Sequence, residues 1–119
     1  MAIASITNVE LKRNEAKQII DAVAVDGSAG AKVSYANKSD GKILLMLTNG
    51  GSAGAKKATI LAGNSLQGTE NLEISVAQGK TMAIVVESGK FMNVSGDYKD
   101  CIVIKGESTD IKVQAIELP

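Results

Sequence analysis

Residues 71–77, NLEISVA, alternate apolar and polar side chains without a break. Leu72, Ile74 and Val76 fall on one side of an extended chain, and the polar residues between them fall on the other. This two-residue period predicts a β-strand with one face in a core and one face in water. Gly79 follows as a turn signal, so the strand is expected to end before it.

Four other segments of the chain also have the composition of strands. Residues 42–49, KILLMLTN, and 101–106, CIVIKG, are strongly apolar. Residues 81–88, TMAIVVES, are almost continuously apolar, which predicts a central strand buried on both faces. A final strand is expected in residues 111–119, IKVQAIELP, where the alternation slips at Ile116. A β-bulge is the predicted cause of that slip.

The N-terminal half of the chain is less regular. Residues 56–63 are expected to form a strand, and residues 31–37 alternate only weakly. Residues 16–23 fit a helical stripe, whereas the β-branched run that overlaps them fits a strand. We expect a strand over residues 18–25.

Turn signals separate these segments about every 8 to 12 residues, as in all-β domains. With 119 residues and 12 glycines, the chain is predicted to form a single-domain, all-β fold. The expected architecture is a β-sandwich, immunoglobulin-like or jelly-roll-like, of about eight short strands. The sandwich is assigned to residues 16–119, and residues 1–15 form an N-terminal arm or a first strand.

Charge and composition disfavour several functional classes. Thirteen basic and thirteen acidic residues give a net charge of zero, which disfavours a nucleic-acid binder with a broad basic face. The chain contains no histidine, which excludes His-based catalysis and His-ligated metals. The N-terminus lacks the apolar segment of an export signal, and no apolar run reaches the length of a membrane span. We therefore expect no nucleic-acid partner and no membrane partner.

The hexapeptide GSAGAK occurs twice, at residues 27–32 and 51–56. The flanking sequences match poorly, which disfavours a repeat architecture. Neither copy places Gly, Lys and Ser or Thr at the spacing of a phosphate-binding loop. Because both copies lie between predicted strands, we interpret them as turn chemistry used twice, with glycine supplying backbone freedom or positive φ.

Candidate catalytic groups are few. Cys101, the single cysteine, begins an apolar strand, which favours a small buried side chain; a reactive thiol is the alternative. The carboxylates fall at turns and on wet strand faces, and none has the spacing of a calcium loop. Two tyrosines and one phenylalanine provide little material for stacking sugars or bases. We expect no enzyme and no catalytic, cofactor or metal site, and a module that acts through its surfaces.

Several segments occur in a distinctive order. DGKILLMLTNGG is followed by KKATILAGN, then by LEISVAQGKT and ESGKF, and the chain ends with IKVQAIELP. This layout, over residues 22–119, resembles head decoration proteins and minor head proteins of tailed bacteriophages and prophages. None of these segments is a catalytic signature.

The resemblance implies a β-sandwich accessory protein made in the host cytoplasm that joins the virion at the capsid surface. Its partner would be the major capsid protein, and self-association, for example as a trimer, is left open. The mechanism would be binding energy alone, which stabilises the assembled shell by mass action.

The N-terminal arm is the expected capsid-contact segment because it has the alternation of an edge strand. Its predicted contact residues are Ile6, Val9, Leu11 and Arg13. The alternative for the same residues is an ordinary first strand of the sandwich. Two other functions stay open: a head–tail joining or tail-associated protein, and a non-viral immunoglobulin-like module for adhesion or carbohydrate binding.

Overall fold

A computed structural model describes residues 3–19, 21–36 and 38–119 of the chain. In these residues the backbone forms ten β-strands, one helical turn, α1 (Ser88–Phe91), and one 3₁₀ turn (Asp40–Lys42). The strands are β1 (Ala4–Ile6), β2 (Val9–Glu10), β3 (Val23–Ala24), β4 (Ala31–Ser34), β5 (Ile43–Asn49), β6 (Lys56–Ile60), β7 (Leu72–Val76), β8 (Thr81–Ile84), β9 (Cys101–Gly106) and β10 (Ile111–Glu117).

The strands form two sheets that pack face to face. The first sheet has the order β1-β4-β9-β6-β7, and the second has the order β2-β10-β5-β8, with β3 also paired to β10. The predicted β-sandwich is therefore confirmed. It has ten strands instead of about eight, because the first 24 residues contribute three very short ones. The choice between an immunoglobulin-like and a jelly-roll-like layout stays a prediction.

The core lies between the sheets and is centred on β5. Ile43, Leu45 and Leu47 are fully buried, while the residues between them face outward and are half-buried. On the paired strand β10, Val113 and Ala115 are fully buried as well. Each buried leucine contributes roughly 1.5–3 kcal/mol relative to an exposed one. The strands predicted at residues 42–49, 71–77 and 101–106 are confirmed.

The prediction of a β-bulge at Ile116 is wrong. The register between β10 and β5 runs without interruption from Ile111 opposite Asn49 to Glu117 opposite Ile43. Ile116 is buried on the outer face of the second sheet, where its neighbours in adjacent strands are Val9 and Leu44. Ala115 and Ile116 are therefore consecutive apolar residues because β10 is covered on both faces at this point.

The interpretation of residues 81–88 as a central strand is also wrong. β8 ends at Ile84 and lies at the edge of the second sheet, where β5 is its paired neighbour. Met82 is 44% exposed and Val85 is 48% exposed. A continuous apolar run therefore forms an open edge here, although such runs usually belong to strands buried on both faces.

Two weaker strand predictions are confirmed only in part. The strand expected over residues 18–25 is reduced to β3, and Ile19 before it is exposed. The strand expected over residues 31–37 is β4, which ends at Ser34. Ile20 and Asn37 lie outside the described residues.

Leu45→Ala and Leu44→Ala test the core with adjacent residues on opposite faces of β5. We expect Leu45→Ala to lower the free energy of unfolding by about 2–5 kcal/mol, because it leaves a cavity between the sheets. Leu44→Ala should cause a clearly smaller loss, since Leu44 is only half-buried. Urea unfolding of both variants measures the difference, and equal losses would contradict the placement of the core.

Candidate protein-binding surfaces

The N-terminal arm belongs to the sandwich. Ile6 is 7% exposed and lies opposite Val33 in a parallel pairing of β1 with β4. Val9 is 3% exposed and lies opposite Ile116 in a parallel pairing of β2 with β10. The arm thus passes from the first sheet to the second within three residues and closes one side of the sandwich.

This placement corrects the expectation of an arm free to add to a partner. Neither side chain is available to a capsid, because Ile6 is buried between the sheets and Val9 is buried beside Ile116 on the outer face of the second sheet. Leu11 is half-buried, and its backbone nitrogen donates to the Glu117 carbonyl at 2.8 Å. Arg13 is exposed. The alternative of an ordinary first strand describes the arm, and capsid contact by Leu11 and Arg13 stays a prediction.

The first GSAGAK copy wraps around a carboxylate. One oxygen of Asp26, Oδ1, accepts hydrogen bonds from the backbone nitrogens of Ser28 at 3.0 Å, Ala29 at 2.9 Å and Gly30 at 3.2 Å. The same oxygen accepts a hydrogen bond from the Ser28 hydroxyl at 3.1 Å. The Asp26 side chain therefore holds the turn that leads into β4.

The second copy is held by a buried amide. Asn49 is fully buried, and its Nδ2 donates to the carbonyls of Gly54 at 2.9 Å and Val76 at 3.1 Å. Its Oδ1 accepts from the backbone nitrogen of Gly51 at 3.0 Å. These bonds satisfy the amide inside the core and tie the turn to β7.

The two copies share a backbone requirement at the same place in the hexapeptide. Gly30 has φ +74° and Gly54 has φ +95°, and each is the fourth residue of its copy. Glycine adopts positive φ without the steric cost that a Cβ atom brings. The interpretation of the repeat as turn chemistry used twice is confirmed.

A different surface is built by the loop between β6 and β7 and by the segment that follows β8. Asn64 joins them, because its Oδ1 accepts from the Val94 nitrogen at 2.7 Å and its Nδ2 donates to the Ser95 carbonyl at 3.0 Å. The Ser65 hydroxyl donates to the Gly89 carbonyl at 2.6 Å. These bonds hold the loop in one conformation.

Two glycines of this loop allow close backbone approaches, one to the segment that follows β8 and one within the loop. A Cβ at Gly63 would collide with the Met92 carbonyl, and a Cβ at Gly68 would collide with the Gly63 carbonyl. The Gly63 nitrogen also donates to the Lys90 carbonyl at 2.9 Å. The loop is therefore packed tightly, although most of its side chains are polar.

Leu66 projects from this loop and is 101% exposed, the full value for a free side chain. Val94, 47% exposed, lies across a shallow depression of about 640 Å³. We call this region the Leu66 surface; its residues are Asn64, Ser65, Leu66, Gln67, Gly89 and Val94. Burial of this exposed aliphatic side chain in an apolar pocket of a partner would be favourable, because it removes apolar surface from water.

Sequence reasoning missed the Leu66 surface. The available signal was a single leucine inside the polar stretch GNSLQGTEN, between two glycines. A lone exposed leucine is ordinary in soluble proteins, so that signal alone does not distinguish a binding residue. The hydrogen bonds that fix the loop are visible only in the folded chain.

The candidate reactive group is poorly suited to nucleophilic chemistry. Cys101 is half-buried at the start of β9, and burial raises the pKa of its thiol despite the opposing effect of the Lys32 charge. A raised pKa keeps the thiol protonated and unreactive at neutral pH. Its interpretation as a small packing residue agrees with this environment.

Within residues 3–19, 21–36 and 38–119, no three His, Cys, Asp or Glu side chains lie close enough together to hold a metal ion. None of the helices in the described part of the chain has the length and apolar character needed to cross a membrane.

Comparisons with protein families, curated proteins and solved structures find no match for this chain. The resemblance to phage head proteins therefore stays a prediction from the segments quoted above.

The turn around Asp26 makes stability depend on pH. Hydrogen bonds from the backbone nitrogens of Gly30, Ala29 and Ser28 lower the pKa of Asp26 below its ordinary value of 3.8. A depressed folded-state pKa means that the charged form adds stability above the unfolded-state pKa, and that this stability is lost as pH falls through the folded-state pKa.

We therefore expect the wild type to be more stable than Asp26→Asn at about pH 7, and the difference to shrink below the unfolded-state pKa and disappear as the pH falls through the folded-state pKa. Urea unfolding of both proteins across this range is the measurement. A difference that stays constant down to about pH 2 would contradict the role given to the Asp26 charge.

Proposed function

We propose that this chain is a non-enzymatic structural protein of a tailed-phage particle, a head decoration protein that binds the outside of the assembled capsid and stabilises it. The observation that carries the proposal is the Leu66 surface, where a fixed loop presents a fully exposed aliphatic side chain. The major capsid protein is the proposed partner, and the capsid surface is the proposed location.

The loop is suited to repeated docking because it is already ordered. Ordering a flexible loop on binding costs free energy, and the hydrogen bonds made by Asn64 and Ser65 reduce that cost because they already connect the loop to the segment that follows β8. Burying the Leu66 side chain in a partner pocket would contribute roughly 1.5–3 kcal/mol. A single contact of this size is weak, but self-association of the chain would multiply it through avidity on a shell with many equivalent sites.

The sequence layout over residues 22–119 supports a virion role because it resembles decoration proteins and minor head proteins. The balanced charge of the chain supports contacts made by shape and apolar burial in preference to long-range attraction. Head–tail joining proteins also use small β-domains, so a head–tail or tail-associated role is the nearest alternative.

Binding to capsids tests the proposal. Purified heads that lack the protein, from the phage or prophage that encodes the chain, are mixed with the wild type and with Leu66→Asp and then sedimented. We expect the wild type to bind until its sites are saturated, and Leu66→Asp to bind at least about tenfold more weakly, because the variant places an unpaired charge in an apolar contact. The unfolding free energy of Leu66→Asp should match that of the wild type, because Leu66 makes no buried contact.

Ile19→Asp is the matched control, since Ile19 is also an exposed aliphatic residue, at 46%, and lies on a different segment. It should bind heads like the wild type. A wild-type protein that does not bind heads would overturn the proposed function. Equal binding by the wild type and Leu66→Asp would show that the Leu66 surface does not contact the head.

A further inference from the structure

The exposed edge of the second sheet lacks the protection that other edges of the molecule have. Natural proteins protect sheet edges with very short strands or with charged side chains, because unpaired backbone groups otherwise pair with another chain. β1, β2 and β3 are two or three residues long. β7 is longer but carries Glu73, which pairs with Lys57 at 3.5 Å. β8 has four residues and no charged side chain.

The side chains along this edge are uncharged and mostly exposed to solvent. Thr81, Met82 and Ala83 are exposed, and Ile84 is half-buried. Val85 directly follows and is 48% exposed. The residues from Thr81 to Val86 form an uncharged run of six. An exposed apolar edge of this kind marks a site where a further strand adds to the sheet.

The hydrogen bonds at the start of β8 define which backbone groups are available. The Asn49 nitrogen donates to the Lys80 carbonyl at 3.0 Å, so Lys80 faces β5. Along an antiparallel strand, the N–H and C=O groups of successive residues point alternately toward one neighbouring strand and away from it. The backbone groups of Met82 and Ile84 therefore also point toward β5. The N–H and C=O groups of Thr81, Ala83 and Val85 therefore point away from the sheet.

We propose that β8 pairs with β8 of a second copy of this chain, antiparallel and centred on Ala83. In this register Ala83 lies opposite Ala83 of the other copy, and Thr81 lies opposite Val85. Met82 of one copy lies opposite Ile84 of the other, so the partly exposed core-facing residues cover one another. The second sheets of the two copies then form one continuous sheet across a two-fold axis.

The charges at the two ends of the strand favour a second copy as the occupant. Lys80 precedes the uncharged run and Glu87 follows it, and both are exposed. Antiparallel self-pairing brings the basic end of one strand to the acidic end of the other, whereas parallel self-pairing would bring like charges together. The edge is thus complementary to itself in one orientation, and a two-fold dimer is the commonest form of such an interface.

Charge-swap variants at Ala83 test the pairing. Because Ala83 lies on the two-fold axis, Ala83→Lys and Ala83→Glu each place like charges opposite one another in a dimer. The full chain has a mass of 12.3 kDa. Sedimentation velocity is measured from about 1 μM to about 1 mM, the range that weak, short interfaces occupy. We expect the wild type to approach twice the monomer mass, each variant alone to stay monomeric, and an equimolar mixture of the two variants to dimerise again.

Ala24→Glu is the matched control, because Ala24 is an exposed alanine on β3 at the opposite side of the same sheet. It should dimerise like the wild type. Circular dichroism and unfolding of each variant confirm that it is folded, and dimerisation of the mixture confirms it independently. A wild type that stays monomeric up to the highest concentration overturns the proposal. An oligomer that both Ala83 variants leave intact, or variants that do not associate when mixed, also overturns it. The pairing does not depend on the proposed virion role, so failure of one leaves the other standing.

Discussion

The seven-residue antiparallel pairing of β5 with β10 is the interaction on which the rest of the structure depends. The other strands of the second sheet attach to one of these two: β8 to β5, and both β2 and β3 to β10. The inward residues of the pair fill the centre of the core and are fully buried. The buried amide of Asn49, at the end of β5, also connects the second sheet to β7 of the first. Loss of this pairing would leave neither sheet with a covered face.

The two sides of the sandwich at which the sheets end differ in how they are covered. The arm closes one side by pairing β1 with β4 in one sheet and β2 with β10 in the other. The opposite side ends in β7 and β8, where the partly buried apolar residues Leu72, Ile74 and Ile84 continue the core toward solvent. The closed side contributes stability, whereas the open side and the Leu66 surface retain apolar groups that further contacts can bury. The two proposals assign different partners to these surfaces, a capsid to the Leu66 surface and a second copy of the chain to the open side.

Periodicity in the sequence predicted the strands whose two faces differ. In β7 the exposed residues Glu73 and Ser75 alternate with the more buried Leu72, Ile74 and Val76, as the sequence predicted. The prediction failed where one pattern has two physical origins. A continuous apolar run occurs in central strands, and at residues 81–88 the same pattern forms an open edge. The break in alternation at Ile116 has a similar explanation, because neighbouring residues on the outer face of the second sheet bury Ile116 without any bulge.

The candidate surfaces were less accessible to prediction than the fold. Ile6 and Val9 have the alternation of a free edge strand, but their burial depends on β4 and β10, which are distant in sequence. Leu66 depends on Asn64, Ser65 and the segment that follows β8 for its fixed position. The turn around Asp26 was more predictable, since aspartate before a Gly-Ser stretch is an established turn signal.

The number of copies of this chain in purified particles tests the central claim most directly. Quantitative mass spectrometry of particles from the source phage or induced prophage gives the ratio of this chain to the major capsid protein. A head decoration protein predicts one copy for every few capsid subunits, because it occupies sites repeated over the whole shell. About a dozen copies or fewer would instead indicate the head–tail junction or tail, where one ring is occupied. Absence from particles would contradict the virion role altogether.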